Sequence, residues 1–236
     1  SGESAEELFR GYPWFYRPYH RNRDGFPWSA DPAARTSILS DDVLRTLDLA
    51  EYSHARYEET LSHVPHLDGE SPEEARRRDI GYLNIKWFMQ TLLDRMDRTS
   101  MYSWLDGPVP CADHRIMESV VLVPWQMKYR NGVEKSLLRD ACADLLPREL
   151  LWRKKSPYPK TYHPAYEQML IRRMREILND PNSPVLPLLD RSKTEAFLAA
   201  PKELGKPWFG QLMAGPQLIA YFIQINTWMQ IYHLSI

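Results

Sequence analysis

The sequence predicts a mainly α-helical fold. Two long segments carry apolar residues at helical spacing, and no segment shows the alternation of apolar and polar residues that is typical of a strand. The chain has 236 residues, of which 43% are hydrophobic, and this is enough for a globular domain with a continuous core. We therefore expect one mainly helical domain over residues 1–236.

The first long helix is predicted to begin at Ser71 and to end near Met96. Ser71 suits the N-cap, Pro72 the first helical position and Glu74 the third, which together form a helix-start pattern. Because the apolar residues that follow share one face, we expect that face to pack against a core. These residues are Ile85, Phe88, Met89, Leu92, Leu93 and Met96.

The last helix is predicted from about Pro216 to Tyr232. Apolar side chains cover most of its circumference, so the sequence indicates a largely buried helix. Gly, Pro and Asp-rich joints separate shorter helical patterns. The shorter patterns cover residues 41–49, 51–61, 113–122, 135–145 and 166–178.

Composition excludes several classes of protein. Thirty basic residues balance 31 acidic ones, so no global field attracts nucleic acid or an anionic membrane. The sequence contains no apolar run of about 18 residues and no signal-peptide pattern at its start, which favours a cytoplasmic protein. Cys111 and Cys142 lack CxxC spacing and are expected to be reduced thiols. His63 and His66 have too few neighbouring ligands for a zinc site.

The first twelve residues, S-G-E-S-A-E-E-L-F-R-G-Y, form the first candidate site. Ser4 and Glu7 have capping-box spacing, which predicts a helix beginning just after a Gly-containing turn. Backbone N–H groups at such a terminus, with carboxylates beside them, suit a phosphate group with magnesium. Simple helix capping is the alternative interpretation, because Ser-x-x-Glu is a common pattern.

Two further charged stretches are candidates. Residues 153–160, R-K-K-S-P-Y-P-K, hold four cations, and the two prolines exclude a continuous helix. Such a rigid basic loop can neutralise a polyphosphate, although basic runs are often solvated surface. Residues 94–101, D-R-M-D-R-T-S-M, alternate in charge at the end of the long helix, where simple ion pairs are the alternative.

In their order and content, these segments resemble the synthetase domain of glutamine-dependent asparagine synthetases. The family pattern S-G-E-G-A-D-E-L-F-G-G-Y is similar to the first twelve residues, and L-L-D-R-x-D-R-M-S-M to residues 92–101. V-P-C-A-D-H-R-I-M-E at 109–118 resembles V-P-F-x-D-H-R-x-V-E, and residues 135–139, 146–147 and 153–161 follow in family order. The resemblance covers most of the chain and weakens after Thr161.

The resemblance implies a fold and partners that extend beyond this sequence. The chain would be the helical C-terminal portion of an α/β synthetase domain of the adenine-nucleotide-hydrolase-like, pyrophosphatase-loop type. A glutaminase domain and the S-G-G-x-D-S ATP loop would belong to an N-terminal portion of the same protein, with the first few residues of this chain against a parallel sheet. A homodimer is also expected from the family.

The resemblance further implies an ATP-dependent ligase. Family members use ATP and Mg²⁺ to adenylate the side-chain carboxylate of aspartate with release of pyrophosphate, and ammonia derived from glutamine then displaces AMP. Ser1 and Gly2 would line the nucleotide, and Glu3 would take the proton from the attacking ammonia. Relatives that close lactam rings have tyrosine at this position, so Glu3 favours the use of ammonia.

The resemblance assigns four more residues to the site. Lys155 would compensate the charge of the departing pyrophosphate, and Glu6 would help to hold magnesium, where the family usually has the shorter aspartate. Asp97 and Arg98 match a charged pair near the nucleotide cleft, where a structural role is equally compatible with the motif.

One departure from the family pattern concerns the substrate. The family has L-E-V-R-V-P-F where this chain has L-D-G-P-V-P-C, so Pro108 replaces an arginine near the substrate region. Because proline cannot bind a carboxylate, one alternative is an amidotransferase of natural-product biosynthesis that acts on another carboxylic acid. A degenerate homologue that only binds a partner is the other alternative.

Overall fold

The computed structural model describes residues 1–29, 32–156, 163–200, 208–210 and 213–236. These residues are mainly helical, which confirms the predicted fold class. They divide into two compact units, the first of residues 1–27 and 56–156 and the second of residues 28–55 and 157–236. The division falls within helix α6, so the second unit is formed by two separate stretches of the chain.

The first unit is built from short helices around one long helical rod. Its elements are α1 (Ala5–Leu8), α2 (Pro13–Tyr16), α3 (Pro18–Arg21), the end of α6 (Leu49–Leu61), α7 (Pro72–Leu83), a π-helical segment (Asn84–Met89), α8 (Gln90–Tyr102), a 3₁₀ turn (Pro110–Ala112), α9 (His114–Val121), α10 (Trp125–Lys128), β1 (Tyr129–Arg130), β2 (Val133–Glu134), α11 (Ser136–Ala141) and α12 (Arg148–Leu151). Leu8 and Phe9 pack with Val120 in a small core that fixes α1.

The long helix begins as predicted and ends later than predicted. Ser71 Oγ accepts a hydrogen bond from the Glu74 N–H at 3.3 Å, which confirms the helix start. The helix then passes through the π-helical segment and continues to Tyr102, beyond the predicted end near Met96. The polar residues 97–100 are all compatible with helix, and the first Gly-Pro break lies at residues 107–108.

A short hairpin is present, although no segment of the sequence shows the alternation that is typical of a strand. β1 pairs with β2 in antiparallel register, with Tyr129 opposite Glu134. Asn131 and Gly132 have φ angles of 54° and 76°, as a two-residue hairpin turn requires. Strands of two residues are too short for an alternation to be visible, and the Asn-Gly pair was the signal that could have revealed them.

The second unit has its own apolar core. Its elements are α4 (Pro32–Thr36), α5 (Asp41–Thr46), the start of α6, α13 (Pro164–Asn179), a 3₁₀ turn (Leu186–Leu188), α14 (Arg191–Ala199) and α15 (Gly215–Ile231). The core forms where α13 packs on α15, around Met174, Leu218 and Phe222.

Most of the predicted helices are present. The five shorter ones are confirmed with ends shifted by up to four residues, and the last helix with ends shifted by one. The prediction that apolar side chains bury most of the last helix is wrong on one side, since Trp228 is 53% and Ile231 64% exposed. Both cysteines are free thiols, as expected. Within the described ranges, no helix is both long and apolar enough to cross a membrane.

Candidate functional site

The turn between Ser1 and Gly11 differs from the predicted capping box. Ser4 lies in the left-handed region with φ 70° and its side chain makes no capping hydrogen bond, so the capping box is wrong, although a helix does begin at Ala5 as predicted. Helix α1 has only four residues and therefore offers little of the dipole that a phosphate site at its end would need. Glu7, the residue expected to complete the box, is buried and accepts a 2.8 Å hydrogen bond from the Tyr12 hydroxyl instead.

Glu6 is the meeting point of two lysines from distant parts of the chain. Lys135 Nζ donates a 2.8 Å hydrogen bond to Glu6 Oε1. Lys155 Nζ lies 3.2 Å from Glu6 Oε2. All three side chains are between 20% and 27% exposed, so the charges are shielded from water without being sealed off. The structure thus brings the start of the predicted basic loop to the first motif, whereas residues 157–160 of that loop lie outside the described residues.

The aromatic ring of Tyr12 packs against the ammonium group of Lys155. The Lys155 ammonium lies 4.4 Å from the centre of the Tyr12 ring, within the range of a cation–π interaction. Burial, with the nearby negative charge of Glu7, raises the pKa of the Tyr12 hydroxyl, and burial also raises the pKa of the Glu7 carboxyl. The hydroxyl therefore stays protonated and holds the ring in place through its bond to Glu7.

Gly11 leaves the space that the Glu6 carboxylate occupies. A Cβ atom at residue 11 would lie 1.7 Å from Glu6 Oε2, far inside van der Waals contact. The Gly11 N–H also donates a 2.9 Å hydrogen bond to the Glu6 carbonyl. The absence of a side chain at residue 11 is thus a condition for the contact between Glu6 and Lys155.

Glu3 lies at the other end of the segment. One of its carboxylate oxygens pairs with the Arg95 guanidinium, and the other is buried without a hydrogen-bond partner. The Glu3 N–H donates to Ser1 Oγ at 3.3 Å, and the Ser1 nitrogen donates to the Pro108 carbonyl at 2.7 Å. The proline that replaces the family's arginine therefore lies directly against the candidate site.

The other predicted site residues, Gly2, Asp97 and Arg98, are exposed. Gly2 is exposed, and no atom lies within 4 Å of the position of an added Cβ. Arg98 is 80% exposed and lies 4.0 Å from Asp94 of its own helix. Asp97 is exposed on the same helix. The structure shows no described contact that joins Asp97 or Arg98 to Glu3 or Lys155.

Three residues of this arrangement were not among the predicted site residues. They are Tyr12, Arg95 and Lys135, and each lies within a string that carries the family resemblance. The motif segments as a whole therefore predict the residues of this arrangement better than the individual residues that were selected from them.

The arrangement around Glu6 suits a polyphosphate better than a metal ion bound by Glu6. Two ammonium groups face its two oxygens, and these are the oxygen atoms that a magnesium ion would need as ligands. No cluster of three or more His, Cys, Asp or Glu side chains that could hold a metal occurs in the ranges that the structure describes. Lys135 and Lys155, by contrast, offer two partly shielded positive charges to phosphate oxygens.

Known proteins are similar in sequence to all or part of this chain. The sequence model of the family described as asparagine synthase matches residues 1–230. Asparagine synthetase [glutamine-hydrolyzing] 3 of Bacillus subtilis is 46% identical over 237 residues, which cover all of this chain and 38% of the relative. The human and chicken asparagine synthetases [glutamine-hydrolyzing] are 36% and 37% identical over 91 residues, 37% of this chain and 16% of each relative. The chain thus spans well under half the length of these relatives.

Proposed function

The chain belongs to the asparagine synthase family, and from this premise we propose that the protein containing it joins ammonia to a carboxylic acid at the expense of ATP. The single observation that carries the proposal is the position of Lys155, which lies beside Glu6 and above Tyr12 of the first motif. In this proposal the chain supplies the helical C-terminal part of an α/β synthetase domain. The N-terminal portion adds the glutaminase and the ATP loop, and the protein is a homodimer.

In the first half of the proposed reaction, the substrate carboxylate attacks the α-phosphorus of ATP and pyrophosphate leaves. Negative charge accumulates on the pyrophosphate oxygens as the bond breaks. A preorganised cation in a partly water-excluded site stabilises such charge more than water does. Lys155 and Lys135 supply that charge, while Glu6 keeps the two ammonium groups apart and in place before the phosphates arrive. Bound Mg²⁺ would supply further compensation. Because the Glu6 carboxylate already faces two ammonium groups, Glu6 is not proposed as a ligand of that ion.

In the second half, ammonia attacks the activated carbonyl carbon. A carbon–nitrogen bond forms, the bond to AMP breaks, and the nitrogen becomes cationic until it loses a proton. Glu3 is the proposed acceptor of that proton, because one of its carboxylate oxygens has no hydrogen-bond partner. Arg95 pairs with the other oxygen and orients the carboxylate. Ser1 and Gly2 precede Glu3 in the same turn and are proposed to line the nucleotide.

Aspartate is the first candidate for the substrate, since the relatives are named as asparagine synthetases. A different carboxylic acid is the second candidate, and it is favoured by one observation. Pro108 lies against Ser1 at a position where the family pattern has an arginine, so this chain lacks one cation that could bind a second carboxylate.

The proposal is tested with the full-length polypeptide that contains this chain. The protein is incubated with ATP, Mg²⁺, aspartate and either glutamine or ammonium, and AMP, pyrophosphate and asparagine are measured. We expect equal amounts of AMP and amide. If AMP and pyrophosphate form only with other carboxylic acids from a panel, the aspartate assignment is wrong. If no acid supports AMP formation, the chain belongs to a non-catalytic homologue.

A further inference from the structure

A second basic site lies in the first unit and shares no residue with the group around Glu6. It is a pocket of about 210 Å³ that is bounded by the loop before α7, the first turns of α7, and residues 121–128. Its cationic lining residues are Arg10, Arg77, Arg78 and Lys128. Nothing in the proposed reaction uses this pocket.

Lys128 is the most unusual of these residues. It is 1% exposed, yet it lines the pocket, and no hydrogen bond or ion pair of its ammonium group occurs among the described residues. Burial and the positive charges of Arg10 and Arg78 lower the pKa of Lys128 to about 6. The amine is therefore mostly neutral at pH 7, and it lacks the carboxylate partner that a buried ammonium group ordinarily has.

Arg10 is held in the same pocket at a conformational cost. Its backbone has φ 64°, in the left-handed region that favours glycine, and the family pattern has glycine at this position. Arg10 Nη1 donates a 2.7 Å hydrogen bond to the Arg77 carbonyl, and the guanidinium lies over the Phe15 ring at 4.9 Å. An added Cβ at Gly81 would lie 2.1 Å from Arg10 Nη1, so the guanidinium fills the space that Gly81 leaves open.

The other two arginines of the pocket already have carboxylate partners. Arg78 pairs with Glu70 at 2.6 Å and Arg77 with Glu73 at 2.6 Å. Arg77 Nε nevertheless remains buried without a hydrogen-bond acceptor.

Two more carboxylates line the pocket, and neither is paired with Arg10 or Lys128. Asp68 is exposed, and the Glu74 carboxylate accepts a 3.0 Å hydrogen bond from Ser71 Oγ. The basic groups that lack a carboxylate partner are therefore the Arg10 guanidinium and the Lys128 amine.

We propose that this pocket binds a phosphate group, either free phosphate or the phosphate of a small phosphomonoester. Arg10 supplies one uncompensated positive charge, Lys128 gains a second by taking up a proton as the anion binds, and Arg77 Nε supplies a further donor. The pocket lining also includes Leu122 and Val123, which offer apolar contact to the organic part of a monoester. Binding would give Lys128 the counter-charge that it lacks in the free protein.

The test is calorimetric titration of the full-length polypeptide with inorganic phosphate and, separately, with phenyl phosphate. Lys155→Ala is present throughout, so that anion binding at the site of the proposed function does not contribute. We expect both anions to bind at millimolar concentrations or below. Tighter binding of phenyl phosphate identifies a monoester as the ligand, and tighter binding of inorganic phosphate identifies free phosphate.

Lys128→Met removes the buried amino group, and with it the positive charge that phosphate would induce there, while keeping a side chain of similar shape; it is expected to weaken phosphate binding at least about tenfold. Lys86→Met makes the same change at an exposed lysine of the first unit and is expected to leave binding unchanged. Arg10→Gly removes the second cation and relieves the left-handed backbone, so it provides an independent result if Lys128→Met does not fold. No binding by the parent protein, or equal affinity in the folded variants, would overturn the proposal.

Discussion

Lys155 Nζ lies 3.2 Å from Glu6 Oε2 in an ion pair without hydrogen-bond geometry, whereas Lys135 Nζ donates a 2.8 Å hydrogen bond to Oε1 of the same carboxylate. The two lysines are therefore held differently. Lys155 also rests on the face of Tyr12, and neither contact fixes the direction of its N–H bonds. An ammonium held in this way can turn its protons to phosphate oxygens at little cost, while Lys135 anchors the carboxylate.

The first prediction follows from this difference. Replacing Lys155 with Ala in the full-length protein is expected to lower substrate-dependent ATP–pyrophosphate exchange by about 10²-fold, because the charge that stabilises the departing pyrophosphate is lost. Lys154→Ala is the matched control, since Lys154 is exposed and has no described ion pair. Unchanged exchange in Lys155→Ala would assign the loop to the solvated surface.

The second prediction concerns the space at Gly11. Gly11→Ala places a methyl group where Glu6 Oε2 lies, so the carboxylate must move away from Lys155. We expect ATP–pyrophosphate exchange to fall by about tenfold, since a small misplacement of a reacting group is costly. If the methyl group acts through Glu6, adding Gly11→Ala to Glu6→Ala causes no further loss. Additive losses in the double variant would show that residue 11 acts in some other way.

The sequence predicts which segments contribute to the candidate site better than it predicts the contacts between their side chains. The motif segments predict Lys155 and Glu3 as site residues, and local chemistry predicts the helix start at Ser71, which the structure confirms. The convergence of Lys135 and Lys155 on Glu6 joins distant parts of the chain, and no local pattern encodes it. The capping box at Ser4 failed because the chain turns through a left-handed conformation that spacing alone does not reveal.

The third prediction tests the support beneath Lys155. Tyr12→Phe keeps the ring but removes the hydroxyl that donates to Glu7, leaving a buried carboxyl without its partner. The free energy of unfolding is expected to fall by about 1–3 kcal/mol, the cost of an unsatisfied buried polar group. Urea denaturation measures this change.

Tyr16→Phe is the control for the loss of a tyrosine hydroxyl, because Tyr16 stacks on Tyr129 and its hydroxyl makes no described hydrogen bond. We expect its effect on stability to stay within about 0.5 kcal/mol. Equal effects of the two substitutions would mean that the bond between Tyr12 and Glu7 contributes nothing specific.

The fourth prediction separates the two halves of the proposed reaction. Glu3→Gln keeps the shape and reach of the side chain but removes the carboxylate that is proposed to accept the ammonia proton. Activation of the acid depends on Lys155 and not on this proton transfer, so substrate-dependent ATP–pyrophosphate exchange should be largely retained. Amide formation should fall by about 10²-fold, the usual scale for loss of a general base.

Both activities of Glu3→Gln must be measured in the full-length protein with saturating ammonium, because glutamine hydrolysis would otherwise limit the amide yield. Asp94→Asn removes an exposed carboxylate from the helix that carries Arg95, and both activities of this control should be unchanged. A parallel loss of exchange and amide formation in Glu3→Gln would indicate that the pair with Arg95 shapes the nucleotide site. The attacking nitrogen must lose its proton to some group before the amide is stable. Amide formation at the parent rate would therefore mean that a group other than Glu3 accepts this proton, and Glu3 would have no part in the chemistry.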